Sequence, residues 1–389
     1  MSHPDAQLPT SLYVHIPWCV RKCHYCDFNS HALESSRGAP PPEQEAAYLK
    51  ALVQDLEQEA RQLPALRLAS VFIGGGTPSL MSGAFYRQLF EALRQHLELP
   101  ASAEVTLEAN PGTTDERHFQ AYREAGINRI SLGIQSFHNN HLQQLGRIHD
   151  AGQAEHALLT LKQAGFENFN IDLMHGLPGQ TPEEALQDLH CALAVKPPHL
   201  SWYQLTIEPN TLFYSQPPVL PEDDTLWDIQ QQGEALLDQA GLKQYEISAY
   251  SRPGKQATHN RNYWEFGDYI GIGAGAHGKR SWRDEQGVLH IERYNKTRQP
   301  EAYLKRIGHY RAQTLTITEE ERPFEFMMNA LRLKEGAPFE LFTTRTGLPE
   351  SLAQATLSIA QDKGLVRRDR IQCTDKGYPF LNHILEDLL

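Results

Sequence analysis

The sequence predicts an α/β fold: an incomplete (β/α)6 TIM-like barrel with a small C-terminal helical, winged-helix-like domain. Three observations carry that reading. Short apolar runs alternate with amphipathic stretches, the pattern of βα units feeding a parallel sheet. Six such units precede residue 241, whereas a complete barrel of eight takes about 250 residues. Polar motifs gather where the predicted strands end, which is where barrels build their active sites. A doubly wound open sheet is the alternative architecture.

The first strand is expected in SLYVHIP, residues 11–17, followed after a Pro-rich loop by helical apolar spacing over 43–63. SVFIGGG supplies the second strand, with Val71, Phe72 and Ile73 in an unbroken apolar run suited to burial on both faces. A helix over 82–97 follows. AEVTLEANP, RISLGIQS, NFNIDLMHGLP and LSWYQLTIEP supply strands three to six. The helices between them lie over 115–125, 139–165 with an interruption near Gly152, and 182–194. A helix over 222–240 precedes the strand-like YEISAY and YIGIGAGAHG. Past Lys296 the texture changes, so residues 1–300 are assigned to the barrel with a β-rich extension and 301–389 to the second domain. That domain shows helical spacing over 322–333 and 351–363, then the hairpin-like GLVRRDRIQCTDKGYPFLN, the outline of a winged helix.

A net charge of −12 on 389 residues argues against a general nucleic-acid binder, because an acidic surface repels a phosphate backbone. Small molecules and proteins are the favoured partners. No apolar run is long enough to span a bilayer, and the N-terminus lacks the pattern of a signal peptide. A cytoplasmic location is expected, and contact with a membrane surface is compatible with it. In a reducing compartment, five cysteines with Cys19, Cys23 and Cys26 clustered read as metal or redox chemistry rather than as disulfides.

The spacing C-x3-C-x2-C admits two readings. Zinc would need a fourth ligand and commonly closes with a second C-x2-C knuckle, which is absent here. An iron–sulfur cluster held by three thiolates leaves one iron open to a small molecule. Cys19, the GGGTP at 74–78, Glu108, Gln135, Asp172 and Thr206 each close a predicted strand or begin the following loop.

With the Gly-rich loop after the second strand, the cysteine motif resembles the radical S-adenosylmethionine (SAM) superfamily. LYVHIPWC, GGGTPS, GIQSF, GRIHD and NIDLMHGLPGQT resemble its oxygen-independent coproporphyrinogen III oxidase-like branch, over roughly residues 11–300. The resemblance implies a [4Fe-4S] cluster on Cys19, Cys23 and Cys26, whose open iron chelates the methionine end of SAM and whose electron cleaves it to a 5′-deoxyadenosyl radical. It also implies that Tyr13 and Tyr25 flank the cluster and the adenosyl group, and that Gly75, Gly76 and Thr77 meet the methionine end. Glu108, Gln135, Arg147 and Asp172 would bind the amino, carboxylate and ribose groups, with Thr206 and His277 completing the pocket. An internal salt bridge is the alternative role for Arg147 and Asp172.

Two departures separate the chain from the oxidase. Phe28 stands where the oxidase carries a further cysteine, and only about ten residues precede the first strand. CDF, together with HNRNYW at 259–264, instead resembles the HemW-type heme chaperones, a branch associated with porphyrin metabolism. That resemblance implies heme as a ligand, heme-accepting respiratory proteins as partners and an electron donor for the cluster. His259 and Trp264 would supply an axial nitrogen and a wall for heme, with Tyr263 beside them and Arg261 for a propionate. His259 can equally be a hydrogen-bonded structural residue. Two functions are therefore carried forward: a heme chaperone without coproporphyrinogen oxidase activity, and a radical SAM oxidoreductase acting on a porphyrinogen. Cys191 and Cys373 are expected to be buried as small hydrophobes. VRRDR at 366–370 is expected to be a solvated face rather than a wing on nucleic acid.

Overall fold

Side chains alternate across a strand, and here the alternation sorts the sheet into an apolar outer face and a polar inner one. The computed structural model describes residues 9–34, 38–61, 66–113 and 116–388. Six strands arise in the expected order: β1 (Thr10–Ile16), β2 (Leu68–Gly75), β3 (Glu104–Ala109), β4 (Arg129–Gln135), β5 (Phe169–His175) and β6 (His199–Gln204). They pair in parallel, each with the next. On the outer face, Leu12, Val14, Val71, Ile73, Leu107, Leu132 and Ile171 pack with helix residues such as Leu52, Phe85 and Leu158 in one buried cluster. On the inner face stand Phe72, Glu108, Ser131, Asp172 and Ser201. The expected burial of β2 on both faces is thus corrected: Phe72 is only partly covered, because it faces a cavity rather than a second helix layer.

The helices on the outer side are α1 (Pro42–Ala60), α2 (Gly83–His96), α3 (Glu116–Ala125), α4 (Asn139–Gln144), α5 (Ala151–Gln163) and α6 (Pro182–Ala194). Positions 62–63 and 115, expected to be helical, lie outside the described residues. The interruption expected near Gly152 falls earlier, at 145–150. Asp150 caps α5 by accepting from the Gln153 N–H while Gln153 reaches back to it, so Gly152 sits inside the first turn of α5. Beyond β6 come α7 (Leu212–Ser215) and α8 (Asp223–Gln239).

The rest of the sheet is more elaborate than expected. YEISAY splits into β7 (Lys243–Glu246) and β8 (Ala249–Ser251), an antiparallel pair whose β8 borders β6. HNRNYW forms a short helix, α9 (Thr258–Trp264). YIGIGAGAHG breaks at its glycines into β9 (Asp268–Ile272), parallel to β1, and the start of β10 (His277–Arg283). Antiparallel β11 (Leu289–Lys296) and β12 (Arg311–Thr316) complete a twelve-stranded sheet of order β12-β11-β10-β9-β1-β2-β3-β4-β5-β6-β8-β7. Its ends do not pair with each other, so the barrel is incomplete, with seven parallel strands.

The C-terminal module contains α11 (Arg322–Ala330), α12 (Phe339–Thr346), α13 (Glu350–Asp362) and α14 (Leu381–Glu386), preceded by α10 (Pro300–Lys305) against the barrel. Its core joins Phe326, Phe342 and Leu357 to Phe266, Leu289 and Ile291. The second core therefore reaches back across the expected boundary at 300/301.

Candidate functional site

The loop after β1 carries the three thiols and is stitched to the loop between α4 and α5. Arg21 donates to the carbonyls of Gly146 and Arg147 at 3.0 and 2.8 Å, and the His24 N–H donates to the Leu145 carbonyl at 3.1 Å. Gly146 is obligatory in this contact: it has a φ of +76°, and a Cβ there would lie 2.8 Å from the His24 ring. Each sulfur has its own polar neighbour. The Thr77 hydroxyl donates to Cys19 Sγ at 3.4 Å, Arg147 donates to Cys23 Sγ at 3.5 Å, and Cys26 Sγ lies 3.7 Å from Ser30 Oγ. Burial pushes the Cys19 thiol up to about 11 and raises that of Cys26, so loading a metal releases protons. Among the described residues, no three His, Cys, Asp or Glu side chains converge on a single-ion geometry.

These thiols open onto a cavity of about 350 Å3, lined also by Tyr25, Gly75, Gly76, Thr77, Glu108, Gln135, Arg147, Asp172 and Thr206. Strand ends and loops bring them together. Gly75 has a φ of +114° and donates its N–H to Glu108 Oε2 at 3.1 Å, and a Cβ on Gly76 would lie 2.5 Å from the Trp18 carbonyl oxygen. Gln135 also adopts a left-handed φ of 72°, where the register between β4 and β5 slips by one residue and re-aims the strand end. The break at 145–150 delivers Arg147, which donates to Asn110 Oδ1 at 2.7 Å and to the Gly133 carbonyl at 2.6 Å. Its Nε is buried without a partner among the described residues, a donor aimed at something else.

Asp172 accepts from Ser131 at 3.0 Å, Asn170 at 2.7 Å and Tyr203 at 2.9 Å. Arg147 and Asp172 thus have separate partners, and the internal salt bridge between them is not formed. Asn110, Ser131, Asn170 and Tyr203 escaped the sequence reading. Asn110 stood at a strand end like the others and was legible there; the remaining three needed the register.

Burial, with the Asp172 charge added, pushes the Glu108 carboxyl up to about 8, against the Gly75 N–H. At pH 7 it is therefore protonated in the free protein. A cation paired with Glu108 must displace that proton, so affinity rises with pH. An ammonium-bearing ligand that pairs with Glu108, probed with SAM, is expected to bind up to about tenfold more tightly per pH unit between 6 and 8 and then to level off. Calorimetric titration across that range checks this, and Glu108→Gln should remove the slope.

Tyr13 and His277 are not in this cavity. With His259 and Trp264 they line an adjoining one of about 550 Å3, and Phe28, Phe72, Glu108 and Asn260 border both. Its walls are aromatic. The Tyr263 and Tyr269 rings stack at 4.4 Å with their hydroxyls 2.7 Å apart, and the His259 and Phe72 rings stack at 4.9 Å. His259 is buried with Nδ1 3.3 Å from Ser70 Oγ, and burial lowers its pKa to about 3, so it stays neutral. His15 has both ring nitrogens engaged, with Tyr13 and the Asn29 carbonyl. His277 and Arg298 are exposed at the mouth. Arg261 faces away, paired with Glu265 and Glu335, so the cation here is Arg298. Phe28, the residue in place of a further cysteine, is 62% exposed on the rim shared by the two cavities.

The remaining cysteines and basic residues fall elsewhere. Cys373 is buried, whereas Cys191 is only half-buried on α6, which corrects its expected burial. Arg367 and Arg368 pair with Asp369 and Asp362 on an exposed surface. Among the described residues no helix is long and apolar enough to cross a membrane.

Residues 13–192 match the radical SAM superfamily and 317–380 the HemN C-terminal domain. The chain is 50% identical over 380 residues to the heme chaperone HemW of Escherichia coli (strain K12), covering 97% of both chains. It is 49% identical over 382 residues to the heme chaperone HemW of Haemophilus influenzae, again covering 97% of both. It is 34% identical to radical S-adenosyl methionine domain-containing protein 1, mitochondrial, of Bos taurus, over 99% of this chain and 89% of that one. Among solved structures, coproporphyrinogen III oxidase (HemN) from Escherichia coli superposes with a TM-score of 0.79 at 24% identity, covering 98% of this chain and 90% of that one, a likeness of fold.

Proposed function

The chain belongs to the HemW family of the radical SAM superfamily, and from that premise we propose that it binds heme and passes it to heme-accepting respiratory proteins, carrying a [4Fe-4S] cluster and exchangeable SAM. The observation that supports this reading most is the pair of adjoining cavities, one lined by thiols and polar strand ends, the other by aromatic rings. A volume of about 550 Å3 falls within the range of small-molecule sites.

In the first cavity, Cys19, Cys23 and Cys26 would hold the cluster. Gly75, Gly76, Glu108, Gln135, Arg147 and Asp172 fit a zwitterion and a ribose diol, which need donors and carboxylates from different strands. The cluster and SAM, when bound, supply one-electron chemistry. Arg147 orients a carboxylate with its free Nε, and Tyr25 closes the wall beside the thiols. Arg147→Ala should weaken SAM binding about 10- to 100-fold, since a charge-assisted bond is lost and Asn110 Oδ1 loses its donor. Equilibrium dialysis measures this, and unchanged binding would misplace the pocket.

In the second cavity, flat rings and neutral imidazole are what heme needs, and the exposed His277 and Arg298 make the site exchangeable. Titration of heme should saturate near one per chain. His259→Ala should weaken binding or alter the heme absorption spectrum while iron and sulfide of the cluster stay constant. An anaerobic coproporphyrinogen assay with SAM and reductant runs alongside. Robust decarboxylation without saturable heme binding would restore the oxidoreductase reading, with which the thiols and polar strand ends of the first cavity are also compatible. We further propose a cytoplasmic location and an electron donor for the cluster as a further partner.

A further inference from the structure

The floor of the first cavity holds a cation that neither reading has used. Arg129 opens β4 four residues before Gly133, roughly 13 Å below it along the strand. It lines the cavity yet is only 2% exposed. A guanidinium has five N–H donors, and among the described residues this one makes a single long hydrogen bond, to Thr106 Oγ1 at 3.5 Å. Glu104 Oε2 stands 3.8 Å from Nε, beyond hydrogen-bond reach, and Nε has no partner among the described residues. Glu104 is committed behind the cavity wall, where its Oε1 accepts from the backbone N–H groups of Thr258 and His259.

Its neighbours are in a different state. His199 uses both ring nitrogens, to Asn170 Oδ1 at 2.7 Å and to Tyr245 at 2.8 Å, and the Ser201 hydroxyl donates to Asn170. His199 and His259 both stay neutral, lowered first by burial and then by the charge of Arg129. The polar groups around Arg129 are hydrogen-bonded, whereas the guanidinium is held by one long ion pair to Glu104 and one 3.5 Å bond to Thr106, which leaves it donors to spare among the described residues, and buried donors without partners are costly.

We propose that this floor is a carboxylate subsite, in which Arg129 binds the acid group of a small molecule lodged beneath the SAM position. The acid has two sources. A heme propionate can reach it past Phe72 and Asn260, which border both cavities, a source that rests on the heme reading. A free carboxylic acid can occupy it independently of heme.

The test uses the anaerobically reconstituted full chain. Heme and heme dimethyl ester are titrated into wild type, Arg129→Met and Arg129→Lys. A separate arm follows propionate by saturation-transfer NMR with wild type and Arg129→Met. If a heme propionate is the occupant, the ester binds wild type about tenfold or more weakly than the acid, Arg129→Met abolishes that difference, and Arg129→Lys keeps part of it. If a free acid is the occupant, heme and ester bind alike, but propionate transfers saturation from wild type and not from Arg129→Met. Because the ester comparison is made on wild type, a misfolded variant does not decide it. Equal binding of acid and ester together with propionate transfer indifferent to Arg129 overturns the subsite. Absence of heme binding in any form overturns the heme reading and leaves the propionate arm to decide the floor.

Discussion

We expect that replacing any one of Cys19, Cys23 and Cys26 by alanine will abolish the iron–sulfur absorption of the anaerobically reconstituted protein. The three thiols share one loop and one cavity, and neither of the other two cysteines lines it. Cys191 sits on α6, and Cys373 is buried in the C-terminal module with its sulfur near the Leu331 carbonyl. His24, between the cysteines in sequence, is tied to the Gln144 carbonyl and packs against Gly146, so it is not a spare ligand. With three protein ligands at most, losing one leaves two, too few to retain a cluster that normally takes four. Iron and sulfide analysis of the three variants checks this. Unchanged content in all three, or stoichiometric zinc in anaerobically purified wild type, would defeat the assignment.

Lys296→Met should cost about 3–5 kcal/mol of stability, because it strips the cation from a buried charge network. Lys296 is fully buried on β11 and bonded to Asp55 and, at 2.6 Å, to Glu59, both on α1. Arg311 on β12 also pairs with Glu59 and, at 2.9 Å, with Glu292. Tyr303 adds a 2.7 Å bond to Asp55. The network joins the first helix to the last strands of the sheet.

At Asp55, burial raises the carboxyl pKa in spite of Lys296, whereas at Glu59 burial is outweighed by Arg311 and Lys296 and the pKa is lowered. The variant therefore keeps Glu59 paired and drives Asp55 further toward its protonated form. A raised folded pKa means stability that is present at low pH and lost as pH climbs through that value. The deficit should accordingly be larger at pH 8 than at pH 5. Urea unfolding at the two pH values, with m unchanged, measures it, and a deficit under 1 kcal/mol at pH 8 would contradict the accounting.

Much of the site was legible because its chemistry is local. Three cysteines within eight residues need no fold to be read as ligands, and the GGGTP loop, Glu108, Gln135, Asp172 and Thr206 were placed by the ends of apolar runs. The helix from Pro182 to Ala194 was readable for the same reason, since Thr181 and Glu184 form a local capping box. Tyr13 and His277 were read as parts of the SAM pocket; they line the adjoining cavity, which shares Gly75 and Glu108 with the first. Arg261 was read as a cation for heme, yet it pairs with Glu265 and Glu335. Local pattern could not separate these outcomes, because a side chain at the right height on a strand or helix can face either of two cavities.

By itself the sequence determined the βα order, the clustering of the three cysteines and the family. Each depends on spacing along one segment, where periodicity and motif act at short range. Only the tertiary structure decided that the barrel stays open, that β11 shares a core with the C-terminal module, and that a helix carries His259 against Phe72. Only the structure likewise placed Arg129 under the cavity with a donor to spare. Those outcomes rest on register and on contacts between distant segments. Which face a strand residue presents, and what stands opposite it, is settled by packing rather than by any neighbour in the chain.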